Sequence, residues 1–348
     1  MVNLYSDTQT RPTEGMRRAI ATADVGDEQR FEDPTTIRLQ ERVAELLGQE
    51  AALFLPSGTM CNEIALRVHA RPGGDELILD RTAHPIIAEA GGPAQSSQLM
   101  IHTLDGDQGV FSPDLLRAAI RPASRYLPRS RVVSVEQTTN MGGGRVWPLD
   151  TVRGVVEVAR EHGLRTHMDG ARLMNAVVAS GDSAAAFAGG FDTAWIDFTK
   201  GLGAPVGAVL AGSRELIEEA WRWKQMLGGA LRQSGIVAAG CLYALDHHVE
   251  RLADDHENAW VLADGLAELG CEVMPPETNI VIFSAPGGSE ESMEDASPGG
   301  FVEAMDRHGV ELSGTPDGRV RAVTHLDVDR TDIDEALRAA RLVLSTTA

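Results

Sequence analysis

Short apolar runs alternate with longer amphipathic ones along this chain. Residues 35–48, TTIRLQERVAELLG, carry apolar side chains at helical spacing and end on Gly48, which predicts an amphipathic helix. Ala51 to Leu55 is a short buried strand, and Ser57-Gly58-Thr59 then opens a second helix through Asn62, Leu66 and Val68. Further strands are expected at Glu76 to Leu79, Leu99 to Thr103, Arg131 to Val135, Arg165 to Met168, Ala194 to Phe198 and Gly207 to Ala211. Helical patterns at about 85–96, 112–121, 150–162 and 171–179 lie between these runs.

This alternation predicts an α/β fold with a mostly parallel sheet. Such sheets place ligands beyond the carboxyl ends of their strands. Ser57, Glu136, Asp169 and Lys200 each follow an expected strand. After long helices at about 213–226 and 233–249, the order becomes helix, strand (Asn279 to Phe283), helix, strand (Arg319 to Val323), helix. That is a small α+β unit. The chain therefore divides into an N-terminal arm and large domain over 1–248 and a small C-terminal domain over 249–348, with the acidic stretch Ala253 to Asn258 near the junction. Residues 286–300, PGGSEESMEDASPGG, read as a polar acidic loop.

Charge narrows the classes of function. The 348 residues hold 31 Lys and Arg against 51 Asp and Glu, a formal charge of -20, which argues against nucleic acid or anionic membrane as a partner. No run of 18 apolar residues offers a membrane span. The N-terminus MVNLYSDTQTRPT lacks the features of a secretory signal. Cys61, Cys241 and Cys271 lie far apart with no CxxC pair, so a reducing cytoplasm is expected. His84 and Glu89 do not have HExxH spacing, so no metal is expected, and Met141-Gly142-Gly143-Gly144 lacks the glycine spacing of a nicotinamide site.

Only two lysines occur, Lys200 and Lys224, among many arginines. A kept amine suits carbonyl chemistry, because guanidinium forms no Schiff base; a compositional bias with two leftover lysines accounts for the same fact. Lys200 sits between an apolar strand and the loop Gly201-Leu202-Gly203-Ala204-Pro205, where either burial favours its neutral, nucleophilic form or the side chain snorkels to water. Lys224, in Trp221-Arg222-Trp223-Lys224, is expected on a helix surface. Asp169 follows a strand and is placed to anchor a cation or to cap the next helix. Ser57-Gly58-Thr59 offers N–H groups at a helix start, an anion site or a plain N-cap. His84 is placed to stack on a ring or move protons, or to fill a core position. Arg172, Arg232 and Arg321 are candidate clamps for carboxylate or phosphate, or members of structural ion pairs.

Taken together, SDTQTRPT at 6–13, GDEQRFEDPTT at 26–36, LFLPSGTMCNEIAL at 53–66, HPIIAEAGG at 84–92, MDGARLMNA at 168–176, DFTKGLGAPVGAVLAGS at 197–213, KQMLGGALRQSG at 224–235 and RAVTHLDV at 321–328 resemble the L-threonine aldolase family. That family lies in the β-eliminating lyase group of fold-type-I enzymes that use pyridoxal 5′-phosphate (PLP). The resemblance implies an aspartate aminotransferase-like large domain and PLP as cofactor. It implies Lys200 as the Schiff-base lysine, Asp169 as partner of the pyridine nitrogen, and Gly58 and Thr59 as phosphate holders. His84 would stack on the ring and aid catalysis. Arg232 would reach the cofactor from a neighbouring subunit of a homodimer or homotetramer. Ser6, Arg172 and Arg321 would bind the substrate carboxylate, with Arg172 also beside the cofactor and Glu89 close by. The implied reaction is retro-aldol cleavage of a β-hydroxy-α-amino acid such as L-threonine or L-allo-threonine to glycine and an aldehyde. A β-eliminating lyase or dehydratase, an amino-acid racemase, and an inactive binding protein are the alternatives. One departure concerns the substrate hydroxyl: Tyr126 falls near the place of a family histidine, and the family's Glu-Asn-Thr-His-Asn segment reads Glu136-Gln137-Thr138-Thr139-Asn140.

Overall fold

The computed structural model describes residues 1–71, 73–286 and 300–347. The chain opens with the short strand β1 (Val2–Asn3) and reaches the expected first long helix at Pro34–Leu47. Asp33 caps that helix through its side chain, Pro34 fits its first turn, and Gly48 ends it in the left-handed region at φ 66°. Seven strands follow: β2 (Ala51–Leu55), β3 (Asp75–Asp80), β4 (Met100–Leu104), β5 (Arg129–Glu136), β6 (Arg165–Asp169), β7 (Thr193–Asp197) and β8 (Ala208–Gly212). They form one sheet in the order β2-β8-β7-β6-β5-β3-β4.

β8 is antiparallel to both its neighbours, and every other pairing is parallel. All strands except β8 therefore point the same way. The carboxyl ends of β2, β5, β6 and β7 share one edge, which brings Ser57, Glu136, Asp169 and Lys200 to the same side of the molecule.

Side chains alternate across the sheet, as the pleat requires. Ala52, Phe54, Ile196 and Val209 enter one core cluster, while Leu53, Leu55, Trp195 and Leu210 enter another against the helix Gly58–His69. β3, β7 and β8 are buried along their whole length, with an apolar centre in each and buried acids at the ends of β3 (Asp75, Glu76, Asp80) and β7 (Asp197).

The remaining strands are β9 (Glu272–Met274), β10 (Ile280–Ser284), β11 (Val310–Glu311), β12 (Ser313–Gly314) and β13 (Val320–Val323). β12, β13, β10 and β9 make an antiparallel sheet that packs on the helices Leu252–Glu268 and Arg330–Thr347 through Phe283, Ala322, Leu262 and Ile333. β1 pairs with β11, and Val2 and Leu4 join this second core. The N-terminal arm thus packs with C-terminal residues before returning to the large sheet, where Thr10 donates to the Lys200 carbonyl at 3.0 Å.

The helix expected at 85–96 is broken into His84–Ile87 and Gly92–Ser97, because Ala90 and Gly91 take φ of 53° and 80° between them. The acidic stretch Ala253 to Asn258 lies in the first turns of Leu252–Glu268, where carboxylates favour the helix dipole. Of the stretch 286–300, residues 287–299 lie outside the described residues. Among the described residues no helix is long and apolar enough to cross a membrane.

Candidate active site

The carboxyl ends of β5 and β6 set two acids side by side, since Glu136 and Asp169 are register partners. Lys200 follows β7 by three residues. Its ammonium is paired with Asp197 and lies 5.9 Å from the centre of the Trp195 ring. At the end of β2, the Ser57 hydroxyl accepts from the Met60 N–H at 3.3 Å and starts the helix Gly58–His69. The Gly58 and Thr59 N–H groups belong to the first turn, whose donors have no partner within the helix. A Cβ on Gly58 would sit 2.3 Å from the Trp195 ring, so only glycine lets the helix start this close to the sheet.

A polar line connects these pieces. Asp169 accepts from the Ala171 N–H at 3.0 Å and from Asn62 Nδ2 at 2.8 Å. Asn62 Nδ2 also donates to Glu89 Oε1 at 2.7 Å, and His84 Nδ1 donates to the same oxygen at 2.7 Å. Burial works to lower the His84 pKa, but the bond to Glu89 and the charges of Asp169 and Glu136 outweigh it and hold it above the ordinary value. Burial raises the Glu89 pKa, against the pull of its bonds to His84 and Asn62. Glu136 is pushed up to about 8, first by burial and then by Asp169.

Arg172 is buried, and its guanidinium forks onto Asp7, with Nε to Oδ2 at 2.8 Å and Nη2 to Oδ1 at 2.7 Å. Asn279 Nδ2 adds a third bond to Asp7 at 3.1 Å. Burial alone would raise the Asp7 pKa; Arg172, helped by Lys200 and Arg321, holds it far below the ordinary carboxylate range. Ser6, beside it, caps the turn Asp7–Gln9 and accepts from the Thr8 N–H at 3.2 Å. Arg321 donates to Asn140 Oδ1 at 2.9 Å and to the Tyr5 carbonyl at 3.3 Å, while its buried Nε has no partner. Burial, followed by the charge of Arg172, pushes the Arg321 pKa down to about 10. A carboxylate arriving here would meet a desolvated cation with an unused donor.

The structure therefore brings Ser6, Gly58, Thr59, His84, Glu89, Asp169, Arg172, Lys200 and Arg321 to one edge of the sheet and the arm that crosses it. Two expected residues lie away from this edge within their own chain, Arg232 being the one expected to act from a neighbouring subunit. Arg232 is exposed, with Asp27 at 3.5 Å as its ionic contact. Tyr126 is 87% exposed, in the turn that leads into the amino end of β5. Eight residues of strand at about 3.3 Å each carry β5 from there to Glu136, so roughly 26 Å separate Tyr126 from the site edge of its own chain. Lys224 is also corrected: it is not at the surface but 0% exposed, paired with Glu28 and 4.8 Å from the Trp221 ring centre.

Asn62, Asp7, Asp197 and Trp195 were not among the expected site residues. A usable signal existed for Asn62, a polar residue among the buried positions Cys61, Ile64, Ala65 and Leu66 of its helix.

Comparison with known proteins places this geometry in context. A family model described as beta-eliminating lyase matches residues 3–286. A low-specificity L-threonine aldolase of Escherichia coli K12 is 39% identical, covering 99% of this chain and 100% of its own. A probable low-specificity L-threonine aldolase 2 of Arabidopsis thaliana is 38% identical, covering 97% and 95%. Among solved structures, a threonine aldolase of Leishmania major superposes with a TM-score of 0.81 at 19% identity, with 100% of each chain covered. That likeness bears on fold, and it agrees with the fold-type-I architecture expected from the sequence.

Proposed function

This chain belongs to the β-eliminating lyase family, and from that premise we infer that it is a PLP-dependent aldehyde-lyase of the threonine aldolase type. It cleaves β-hydroxy-α-amino acids such as L-threonine or L-allo-threonine to glycine and an aldehyde. The observation that carries this reading is the meeting of Lys200, Asp169 and two buried arginines at one sheet edge, in a chain 39% identical over its length to a low-specificity L-threonine aldolase.

The residues fit the cofactor. Gly58 leaves no room for a side chain against Trp195, and the helix start behind it presents unpaired N–H groups suited to a phosphate. Asp169 has two bonds in place, and a carboxylate has room for more, so it has capacity left for a ring N–H. Lys200 would hold the cofactor's aldehyde carbon, His84 would lie on the ring, and Arg232 would come from a neighbouring copy in a homodimer or homotetramer. Bound PLP supplies an electron sink for the carbanion left when the Cα–Cβ bond breaks.

The chain's own residues select that bond. Arg321 receives the substrate carboxylate at its unused Nε, with Arg172 and Ser6 beside it. A pinned carboxylate restricts rotation about Cα, and this orients the scissile bond. His84 donates through Nδ1 to Glu89, so in the neutral ring Nε2 carries the lone pair and takes the proton of the β-hydroxyl. Three free cysteines agree with a reducing cytoplasm.

The test is direct. Protein reconstituted with PLP is offered L-threonine and L-allo-threonine, and glycine and aldehyde are measured together with 2-oxo acids. Glycine and aldehyde in equal amounts are expected; a 2-oxo acid product, or no glycine from any β-hydroxy amino acid, refutes the reading. Borohydride reduction and peptide mapping should put the pyridoxyl label on Lys200.

A further inference from the structure

Asn62 lies in the helix Gly58–His69 and is fully buried. A buried amide needs acceptors for its N–H groups and donors for its oxygen. Asn62 has both. Its Oδ1 accepts from Trp195 Nε1 at 2.8 Å and faces His167 Nε2 at 3.0 Å. An indole nitrogen only donates, so the amide has one permitted orientation. Its Nδ2 is therefore held toward two carboxylates, Asp169 and Glu89.

His167 supports the same orientation. Its Nδ1 and His69 Nε2 both meet the Thr193 hydroxyl, each at 2.8 Å. Burial holds both imidazoles neutral. With Nε2 donating to Asn62, His167 Nδ1 accepts the Thr193 proton, and His69 Nε2 donates to the Thr193 oxygen. The Oδ1 side of Asn62 is thus fixed by uncharged groups on β6 and β7, and its Nδ2 side bears the charges.

We propose that Asn62 is a positioning residue that couples the His84–Glu89 pair to Asp169, so that the protonation of His84 is felt at the carboxylate facing the cofactor ring. This rests on the aldolase reading above. Glu89 and Asp169 share one amide inside a low-dielectric region, where their repulsion is strong. A proton on His84 offsets the charge of Glu89, and Asp169 then feels little of it. When His84 is neutral, Glu89 is uncompensated, and Asp169 holds a proton or a ring N–H more strongly. Glu136 faces both His84 and Asp169 and itself titrates within this range, so the coupling is read in a Glu136→Gln background, while Arg172, which bears on Glu136, keeps its charge throughout.

The test uses PLP-loaded protein, with the bound cofactor's absorbance followed against pH and PLP affinity measured by equilibrium dialysis. Glu89→Gln should move the absorbance midpoint clearly when Asn62 is present and markedly less in the Asn62→Ala background, where only through-space repulsion is left. Asn62→Ala should also weaken PLP binding roughly tenfold or more, the effect of removing a hydrogen bond to a charged group. Equal shifts in both backgrounds overturn the proposal. If Asn62→Ala does not fold, Asn62→Asp carries the test. It fits the same space but lacks the Nδ2 donors, so Glu89→Gln in this background should move the midpoint less than it does in the wild type; an equal shift overturns the proposal. A wild-type chain that takes up no PLP refutes the aldolase reading instead, so the two failures are distinct.

Discussion

Asp7→Asn tests whether the arm is held by charge or only by shape. Both Asp7 oxygens are used: Oδ1 accepts from Arg172 Nη2, and Oδ2 accepts from Arg172 Nε and Asn279 Nδ2. An asparagine keeps the volume but turns one acceptor into a donor. Either orientation then sets N–H against N–H, and the Arg172 guanidinium, 4% exposed, keeps its charge with no counterion in contact. Breaking a buried pair in this way costs about 3–5 kcal/mol. At about 2 °C per kcal/mol for a chain of this size, Tm should fall by roughly 6–10 °C. The pH dependence carries a sign. The folded Asp7 pKa lies below its ordinary value of 3.8, so the pair's contribution is fully present above about pH 4 and is lost as the pH falls through the folded pKa. The gap between wild type and variant, measured by denaturant unfolding, should be constant from pH 5 to 7 and should narrow below about 4. A variant within about 0.5 kcal/mol of wild type at pH 7 would refute the assignment of Asp7 as the charge that holds Arg172.

Three further outcomes are expected. Gly58→Ala drives a methyl to 2.3 Å from the Trp195 ring, so it should cost about 1–3 kcal/mol in denaturant unfolding and weaken PLP in equilibrium dialysis; unchanged values for both would show that the helix start has slack. Glu136, pushed up to about 8 by burial and Asp169, keeps its proton in the folded state across a range where the unfolded chain has lost it, so wild-type stability should decline relative to Glu136→Gln as pH rises from about 4.5 to 8, with a slope of up to about 1.4 kcal/mol per pH unit, and level off above; a gap independent of pH refutes the shift. Lys224→Met strands the Glu28 carboxylate and should cost about 3–5 kcal/mol, with Glu28→Gln restoring part of it in the double variant; strict additivity would refute a direct pair.

Most of the large sheet was legible because the centres of its strands are buried, short apolar stretches bounded by turns; the edge strand β4 is largely exposed. β1, β11 and β12 were not, since two residues carry no period and β1 pairs with a partner about three hundred positions away. The strand-end residues Glu136 and Asp169, and Lys200 just beyond its strand, were legible for the same reason as the strands they follow. Counting backwards from a strand was less informative. It puts Tyr126 close to Glu136 in sequence, yet the strand itself carries the two to opposite edges. Lys224 had a readable sign that residue type concealed: with Ile217 and Ala220 it occupies one helical face, and both of those are buried. Asn62 interrupts an apolar face in the same way. Polar residues on apolar faces cost stability unless partners arrive from elsewhere in the chain, and local pattern cannot name those partners. Here they are Glu28 for Lys224, and Glu89, Asp169, Trp195 and His167 for Asn62. In Asn62 the break in the helix pattern marks a residue of the candidate site, so a break of this kind is worth reading before any motif is matched.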